Sequence, residues 1–401
     1  MIRLLACACA VLVLWPSVAA AQGEDSEWAA GGGHLAFLAQ DEQNVSVLRV
    51  VAPDGAVSAP EVVSEPNAAP VVAVGPRGDV IVAWIGERDR ALHARYRPAG
   101  GVLGPDEVVT PQRVEFGAEA VVAGVDGAGN ATVTWSPEDR DERGGMRVRT
   151  RSAAGVWGAP QNLGGYRVFD PSLTVTANGS AFLVWRQARA AKHPNLNQTA
   201  ISARAPGGAF TAPRVLVGVN RDPGEATVAA NDRGDAIVVW SQLDEHDDFQ
   251  VWASFRGAGT RFGRPVRLNR SRDMVSRWVT VLADGTMVMG WTNNFTRRVE
   301  ARVRNAAGVL GPPVTLTDDL EVNSDLFPLA SGGLAWADRD PGVSRIRLAR
   351  VDGLGFSAPI DVVRVHGWFL GPAFAVGPQG VGIVPRRPRQ ADAPIRWQPV
   401  G

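Results

Sequence analysis

The feature that most constrains this chain is one short apolar segment written many times over. It reads "GDAIVVWSQ" at 234–242 and returns as "GDVIVAWIG", "GNATVTWSP", "GSAFLVWRQ" and "GTMVMGWTN". The tryptophans in this position are Trp84, Trp135, Trp185, Trp240, Trp291 and Trp336, spaced 51, 50, 55, 51 and 45 residues apart. Two weaker copies flank them. "GGGHLAFLAQ" puts Phe37 in the tryptophan's place, and "GVGIVPR" puts Val384 or its neighbour there. Self-similarity at this period belongs to propellers and solenoids, where each unit buries its apolar faces only against its neighbours. Eight units of roughly 47 residues follow the N-terminal segment.

Each unit holds four strand-like segments. In the fifth these are "EATVAAND", "DAIVVW", "QVWASFR" and "FGRPVRL"; in the third, "AVVAGVD", "NATVTW", "MRVRTR" and "VWGAPQNL". They are rich in Val, Thr and aromatics and are separated by Gly, Pro, Asn and Asp, which read as strands and turns. The second segment is apolar on both faces: Ala236, Val238 and Trp240 alternate with Ile237 and Val239. A strand like that is covered on both sides. The third segment alternates Met146, Val148 and Thr150 with Arg147, Arg149 and Arg151, which predicts one wet face. An inner strand buried twice and an outer strand half-exposed is the grading of a propeller blade. The sequence therefore predicts an all-β fold, a β-propeller of four-stranded antiparallel blades. Eight blades are expected, seven being the alternative. The last unit ends at "IRWQPVG" without a fourth strand.

The composition, 45% hydrophobic and 20% charged, is that of a globular chain. Lysine and arginine together equal aspartate and glutamate at 41 each, so neither nucleic acid nor an anionic membrane is an expected partner. Lys192 is the only lysine. With the high Ala, Gly and Val content, this reads as bacterial, GC-rich codon bias. Residues 1–21 read as a secretory signal peptide: Arg3, an apolar run from Leu4 to Trp15 too short to span a bilayer, and a small-residue cleavage site at Ala19, Ala20 and Ala21. Both cysteines, Cys7 and Cys9, lie inside it, so the mature chain, 22–401, is expected to be a single cysteine-free propeller, secreted or held at the cell envelope. No membrane span is expected in it, and a monomer is.

The first three strands of each unit resemble those of NHL-type propellers. The hairpin from third to fourth strand, "RSAAGVWGAPQNL" at 151–163, "RNAAGVLGPPVTL" at 304–316 and "RPAGGVLGPDEVV" at 97–109, resembles the Asp-box hairpin of sialidase-like propellers. The Asp-box aspartate is missing from most copies, with Asp54 and Asp352 as the nearest remnants. A sialidase also needs an arginine triad and a tyrosine nucleophile with its glutamate. Only Tyr96 and Tyr166 exist, and no triad maps onto the chain. The resemblance implies the fold and leaves the activity behind.

In such a fold the second-to-third and fourth-to-first connections share one face, and the long polar ones all fall there. The fourth-to-first connections bring Arg113 and Glu115, then Tyr166, Arg167 and Asp170, Arg221 and Asp222, Arg270 and Arg272, and His366 and Trp368. Arginines beside aromatics suit an anionic glycan or a carboxylate; pairing between blades is the competing reading. Among second-to-third connections, "LDEHDD" at 243–248 offers Asp244, Asp247 and Asp248 as weak Ca²⁺ ligands, without the alternate spacing and glycine of a Ca²⁺ loop. No other cofactor is indicated. The recurring third-strand arginines, Arg95, Arg149, Arg204, Arg256 and Arg302, read as a solvated face or as partners of the same blade's tryptophan. No catalytic motif is present, and none of the five histidines has metal-ligand spacing with another.

The expected function is non-enzymatic binding of a glycan or a protein through the loop-rich face. One alternative is a carbohydrate-active hydrolase or lyase using Glu115, Tyr166, Asp170 or Asp222, which needs a carboxylate pair about 5 to 10 Å apart. The other is a purely structural cell-surface repeat.

Overall fold

The computed structural model describes residues 21–22, 28–40, 43–66, 68–114, 121–137, 145–190, 193–218, 223–243, 249–269, 277–293, 297–317, 326–329, 332–340, 343–366, 373–377, 380–384 and 396–398. They form β-structure throughout, with no helix. Eight antiparallel sheets succeed one another along the chain, one per repeat. Seven have four strands or more, and in the eighth three are described. Blade 4, for example, is Tyr166–Val175, Ala181–Ala190, His193–Arg204 and Arg214–Val217, each strand paired with the next. The first strands of blades 1 to 7 lie side by side in order, so the first strand is the inner one and the short fourth strand the rim. The fold is a β-propeller. Residues 1–20, where the export signal is expected, lie outside the described residues. Ala21–Gln22 adds a fifth strand to blade 1, paired with Ala29 and Ala30.

The repeated tryptophan packs between blades. Six apolar clusters are resolved, each spanning two consecutive blades and each holding one of these tryptophans. Trp240 sits with Ala236 and Val238 against Phe182 and Val184 of blade 4. Ile237 and Val239, on the other face of the same strand, pack against Val279, Met289 and Trp291 of blade 6. That is the two-faced burial that the alternation of "AIVVW" predicts. Trp135, Trp185, Trp240, Trp291 and Trp336 are at most 1% exposed, and Trp84 is 4% exposed. The turn into the strand needs a glycine: Gly234 has φ +85°, and its N–H donates to Asn231 at 3.0 Å.

The third-strand arginines differ from expectation. They occupy two positions, and both tie blades together. Arg95, Arg149 and Arg302 each donate through Nε to the carbonyl nine residues on, Gly104, Gly158 and Gly311. Each also donates through Nη1 to a fourth-strand or adjacent carbonyl of the preceding blade, Val62, Val109 or Leu268. In blades 4 and 5 the same position holds Ser202 and Ser254, whose hydroxyls keep the bond to Thr211 and Gly263. Two residues later come Arg97, Arg151, Arg204, Arg256 and Arg304. Arg151 makes a bidentate pair with Glu107 of blade 2 at 2.9 and 2.7 Å and lies 4.4 Å over the Tyr96 ring. Arg256 lies 4.8 Å over Phe182 of blade 4, and Arg304 lies 5.0 Å over Phe255 of blade 5. None of these arginines is placed against the repeated tryptophan of its own blade; each that reaches the preceding blade makes the face predicted to be wet for "MRVRTR" a joint.

On the opposite face the first-to-second turns are linked in series. The Tyr96 hydroxyl lies 2.8 Å from the Gly129 carbonyl and 2.9 Å from Asp79, and burial, with that carboxylate beside it, raises the phenol's pKa. Gly127 donates to Ala177, Asn178 to Asp232, and Asn231 and Arg233 to the turn of blade 6. Blades 2 to 6 are thus joined by apolar packing, by arginine side chains and by turn-to-turn bonds.

Truncating one of these tryptophans empties a joint. Trp240→Ala is expected to destabilise the protein by about 3 to 5 kcal/mol in chemical unfolding. A loss under about 1 kcal/mol contradicts the packing role.

Candidate functional site

Symmetry breaks on the inner strand of blade 4. The first strands of blades 2, 3, 6 and 7 are three to five residues long and pair in register, whereas Tyr166–Val175 has ten and is bulged twice. Arg167 is the extra residue between the pairs Tyr166–Ala188 and Val168–Gln187, and Asp170 and Pro171 together oppose Trp185 between Phe169–Arg186 and Ser172–Val184. Gly164 and Gly165, with φ +77° and +115°, turn the chain into the strand. Arg167 and Asp170 themselves adopt φ +40° and +47°. Such backbone is unfavourable for an arginine and persists only where surrounding structure holds it. Bulges of this kind re-aim side chains and gather beside functional sites.

The side chains they aim converge on one aromatic ring. The Arg186 guanidinium lies 5.3 Å from the Phe169 centroid, and that of Arg167 lies 5.7 Å from it. Arg186 also pairs with Asp170, Nη2 to Oδ2, at 2.8 Å. Arg186 follows Trp185 and so points to the face away from it, toward blade 5. The equivalent positions elsewhere hold Ile85, Ser136, Ser241, Thr292 and Ala337, so Arg186, not anticipated from the sequence, is the odd member of its column. The Asp170 carboxylate is thus engaged by Arg186. The cluster has the parts to bind a polar or anionic group: fork-shaped donors, an aromatic ring and half-buried surroundings.

Blade 5 departs from the repeat beside it. Its first strand, Pro223–Ala230, also carries a bulge, between Pro223 and Ala226. Arg277, buried on the first strand of blade 6, donates to the Glu225 backbone carbonyl, to its carboxylate at 3.3 Å and to the Ser241 hydroxyl at 3.4 Å. Nothing in the repeat pointed to Arg277.

Of the expected site residues, Tyr166, Arg167 and Asp170 share the blade 4 strand, with Tyr166 half-buried opposite Ala188. Arg113 is exposed on the crossing from blade 2 to blade 3. The backbone of His366 ends the fourth strand of blade 7, opposite Val343. Glu115, Arg221, Asp222, Arg270, Arg272 and Trp368 lie outside the described residues, as do Asp244, Asp247 and Asp248. Among the described residues, no group of three His, Cys, Asp or Glu is placed to hold a metal ion. No helix among them is long and apolar enough to cross a membrane.

A second cluster was not anticipated. His93 on the third strand of blade 2 stacks on Trp84, with centroids 5.6 Å apart and planes at 17°. Its Nε2 is 3.1 Å from Asp89, and its Nδ1 is 3.0 Å from Asp106. Burial lowers the imidazole pKa, but the two carboxylates outweigh burial and raise it overall.

Comparison with family models returns no match, and no curated protein sequence matches either. Solved structures do. The BP39L lectin from Burkholderia pseudomallei superposes with a TM-score of 0.56 at 14% identity, over 87% of this chain and 99% of the lectin. A prolyl endopeptidase gives 0.52 at 14% identity, over 92% of this chain and 54% of its own. A puromycin hydrolase gives 0.50 at 16%, over 92% and 58%. The chain thus spans little more than half of either hydrolase. At these identities the likeness is one of fold.

The raised pKa of His93 has a stability consequence. The charged imidazole favours the folded state, so its contribution is complete below the unfolded value of about 6.5 and is lost as pH rises through the higher folded value. In thermal unfolding between about pH 5 and 9, the Tm advantage of the wild type over His93→Gln should shrink as pH rises. A difference independent of pH refutes the double ion pair.

Proposed function

We propose that this protein is a non-enzymatic, glycan-binding β-propeller whose binding surface is the inner end of blade 4, and that it is exported by residues 1–21. One observation carries the reading: the doubly bulged strand that holds Arg167 and Asp170 in left-handed backbone around Phe169. Strain in a strand that every other blade builds regularly or nearly so is what a site imposes on a scaffold. The pairing of Asp170 with Arg186 supports binding over acid–base chemistry. The propeller shared with a lectin adds to it as an analogy of fold.

Arg167→Gly separates function from folding, because glycine adopts φ +40° without strain while the guanidinium is removed. On a glycan array followed by titration calorimetry, the variant should lose affinity by about tenfold or more. Its unfolding free energy should stay level or rise by about 0.5 to 1 kcal/mol. Wild-type affinity in Arg167→Gly overturns the assignment of the site.

A further inference from the structure

Blade 4 is set apart by charge as well as by shape. Residues 171–221 contain six arginines and lysines and no aspartate or glutamate, in a chain whose charges balance at 41 each. At the chain's average frequency such a stretch would hold about five acidic residues. Across the whole blade, 166–217, Asp170 is the one acidic residue.

The structure sorts these cations by role. Arg204 is buried 5.2 Å from the Phe210 ring and donates to Thr150 of blade 3 at 2.9 Å; it ties the joint. Arg214 lies 5.8 Å over Phe262 of blade 5. Among the described residues Arg186 and Arg189 remain, on the second strand; Lys192 and Arg221 lie outside them. Arg189 is exposed and sits where the pairing with the third strand breaks register, between Ala188 and Ala190. Three residues of strand, about 10 Å, separate it from Arg186, and the odd spacing puts it on the other face, that of Trp185 and Gln187, so the two guanidiniums flank the end of the strand. The Nε of Arg186 is shielded from solvent and has no hydrogen-bond acceptor. The Nε of Arg204, in the joint, is shielded in the same way.

We propose that the ligand of this site is an anionic polysaccharide, bearing carboxylate or sulfate groups, laid across the end of the second strand, over Phe169 and Arg186 on one face and Arg189 on the other. The inference rests on the glycan-binding reading above and names the class of glycan. Guanidinium forks match carboxylate and sulfate oxygens in pairs, and one carboxylate on the blade leaves the surface attractive to anions. A nucleic acid fits less well. It carries charge evenly at about 1.7 Å per unit along a duplex axis, whereas the basic sector is one blade wide. The second-to-third connections of its neighbours carry Glu138, Asp139, Asp141 and Glu142 in blade 3 and Asp244, Glu245, Asp247 and Asp248 in blade 5.

The test uses the mature chain against surfaces bearing polygalacturonate, alginate, heparin, dextran sulfate, neutral dextran and single-stranded oligo(dT). The expected result is binding to at least one anionic polysaccharide, weakening steadily with added salt. Arg189→Glu should weaken it by about tenfold, while the charge-matched Arg264→Glu on the outer part of blade 5 leaves it within about twofold. Preference for uronates or for sulfated chains identifies the anion. Salt-insensitive binding to neutral dextran overturns this inference and leaves the glycan-binding reading standing. Binding to no glycan overturns both. Equal or tighter binding to oligo(dT) overturns the polysaccharide assignment, as does unchanged binding by Arg189→Glu.

Discussion

Everything in this molecule depends on one strand being covered on both faces by other copies of itself. The core of a blade's second strand has no exposed face, so no blade can stand alone. The tryptophan is the largest element of that contact. It sits at the joint with the preceding blade, while Ile237, Val239 and their counterparts face the following one. Once those joints close, the rest is determined. Inner strands are brought side by side, turns on one face are brought within hydrogen-bonding distance, and third-strand arginines reach the blade before them. The rim is left with strands of two to four residues in blades 1 to 6, short edges that offer little to an added strand.

A scaffold tied this way can hold local strain. Arg167 and Asp170 occupy backbone that neither residue would choose freely, and blade 4 holds them by ordinary pairing on either side of each bulge. The other copies show the alternative: Val121–Val125 of blade 3 pairs in register along its length with no residue to spare. Repetition supplies rigidity, and departure from repetition supplies the chemistry. Shape and charge depart at the same blade, where the longest strands, the doubled bulge and the near-absence of acidic residues coincide.

The parts legible in the sequence were those that follow a local period. Trp240 and its counterparts announced the inter-blade joint, and the alternation of Ala236, Val238 and Trp240 with Ile237 and Val239 gave its two faces. Tyr166, Arg167 and Asp170 could be picked out, together with four similar groups, as charged and aromatic residues expected between a fourth strand and the next first strand; in the fold they belong to the first strand itself. The arginines were misread because Arg95, Arg149 and Arg302 occupy one register and Arg204 and Arg256 another, two residues on. With Ser202 and Ser254 filling the first register in blades 4 and 5, a single column of arginines looked complete. Their partners lie on the preceding blade, 32 to 44 residues away for Arg95, Arg97 and Arg151, and no local pattern reports that distance. The His93 cluster is local, with Asp89 four residues away and Asp106 thirteen, but no repeat marks it. Asp106 reaches it only because the fourth strand folds back with a register shift beside His93.

The central claim is that the repeat is scaffold and that function resides where blade 4 departs from it. Hydrogen–deuterium exchange of the wild-type chain, with and without its tightest-binding glycan, tests this directly. The account predicts ligand-induced protection concentrated in Tyr166–Val175 and Ala181–Ala190, with the matching strands of blades 2 and 6 unchanged. Protection spread evenly over all blades, or centred on another blade, would contradict it.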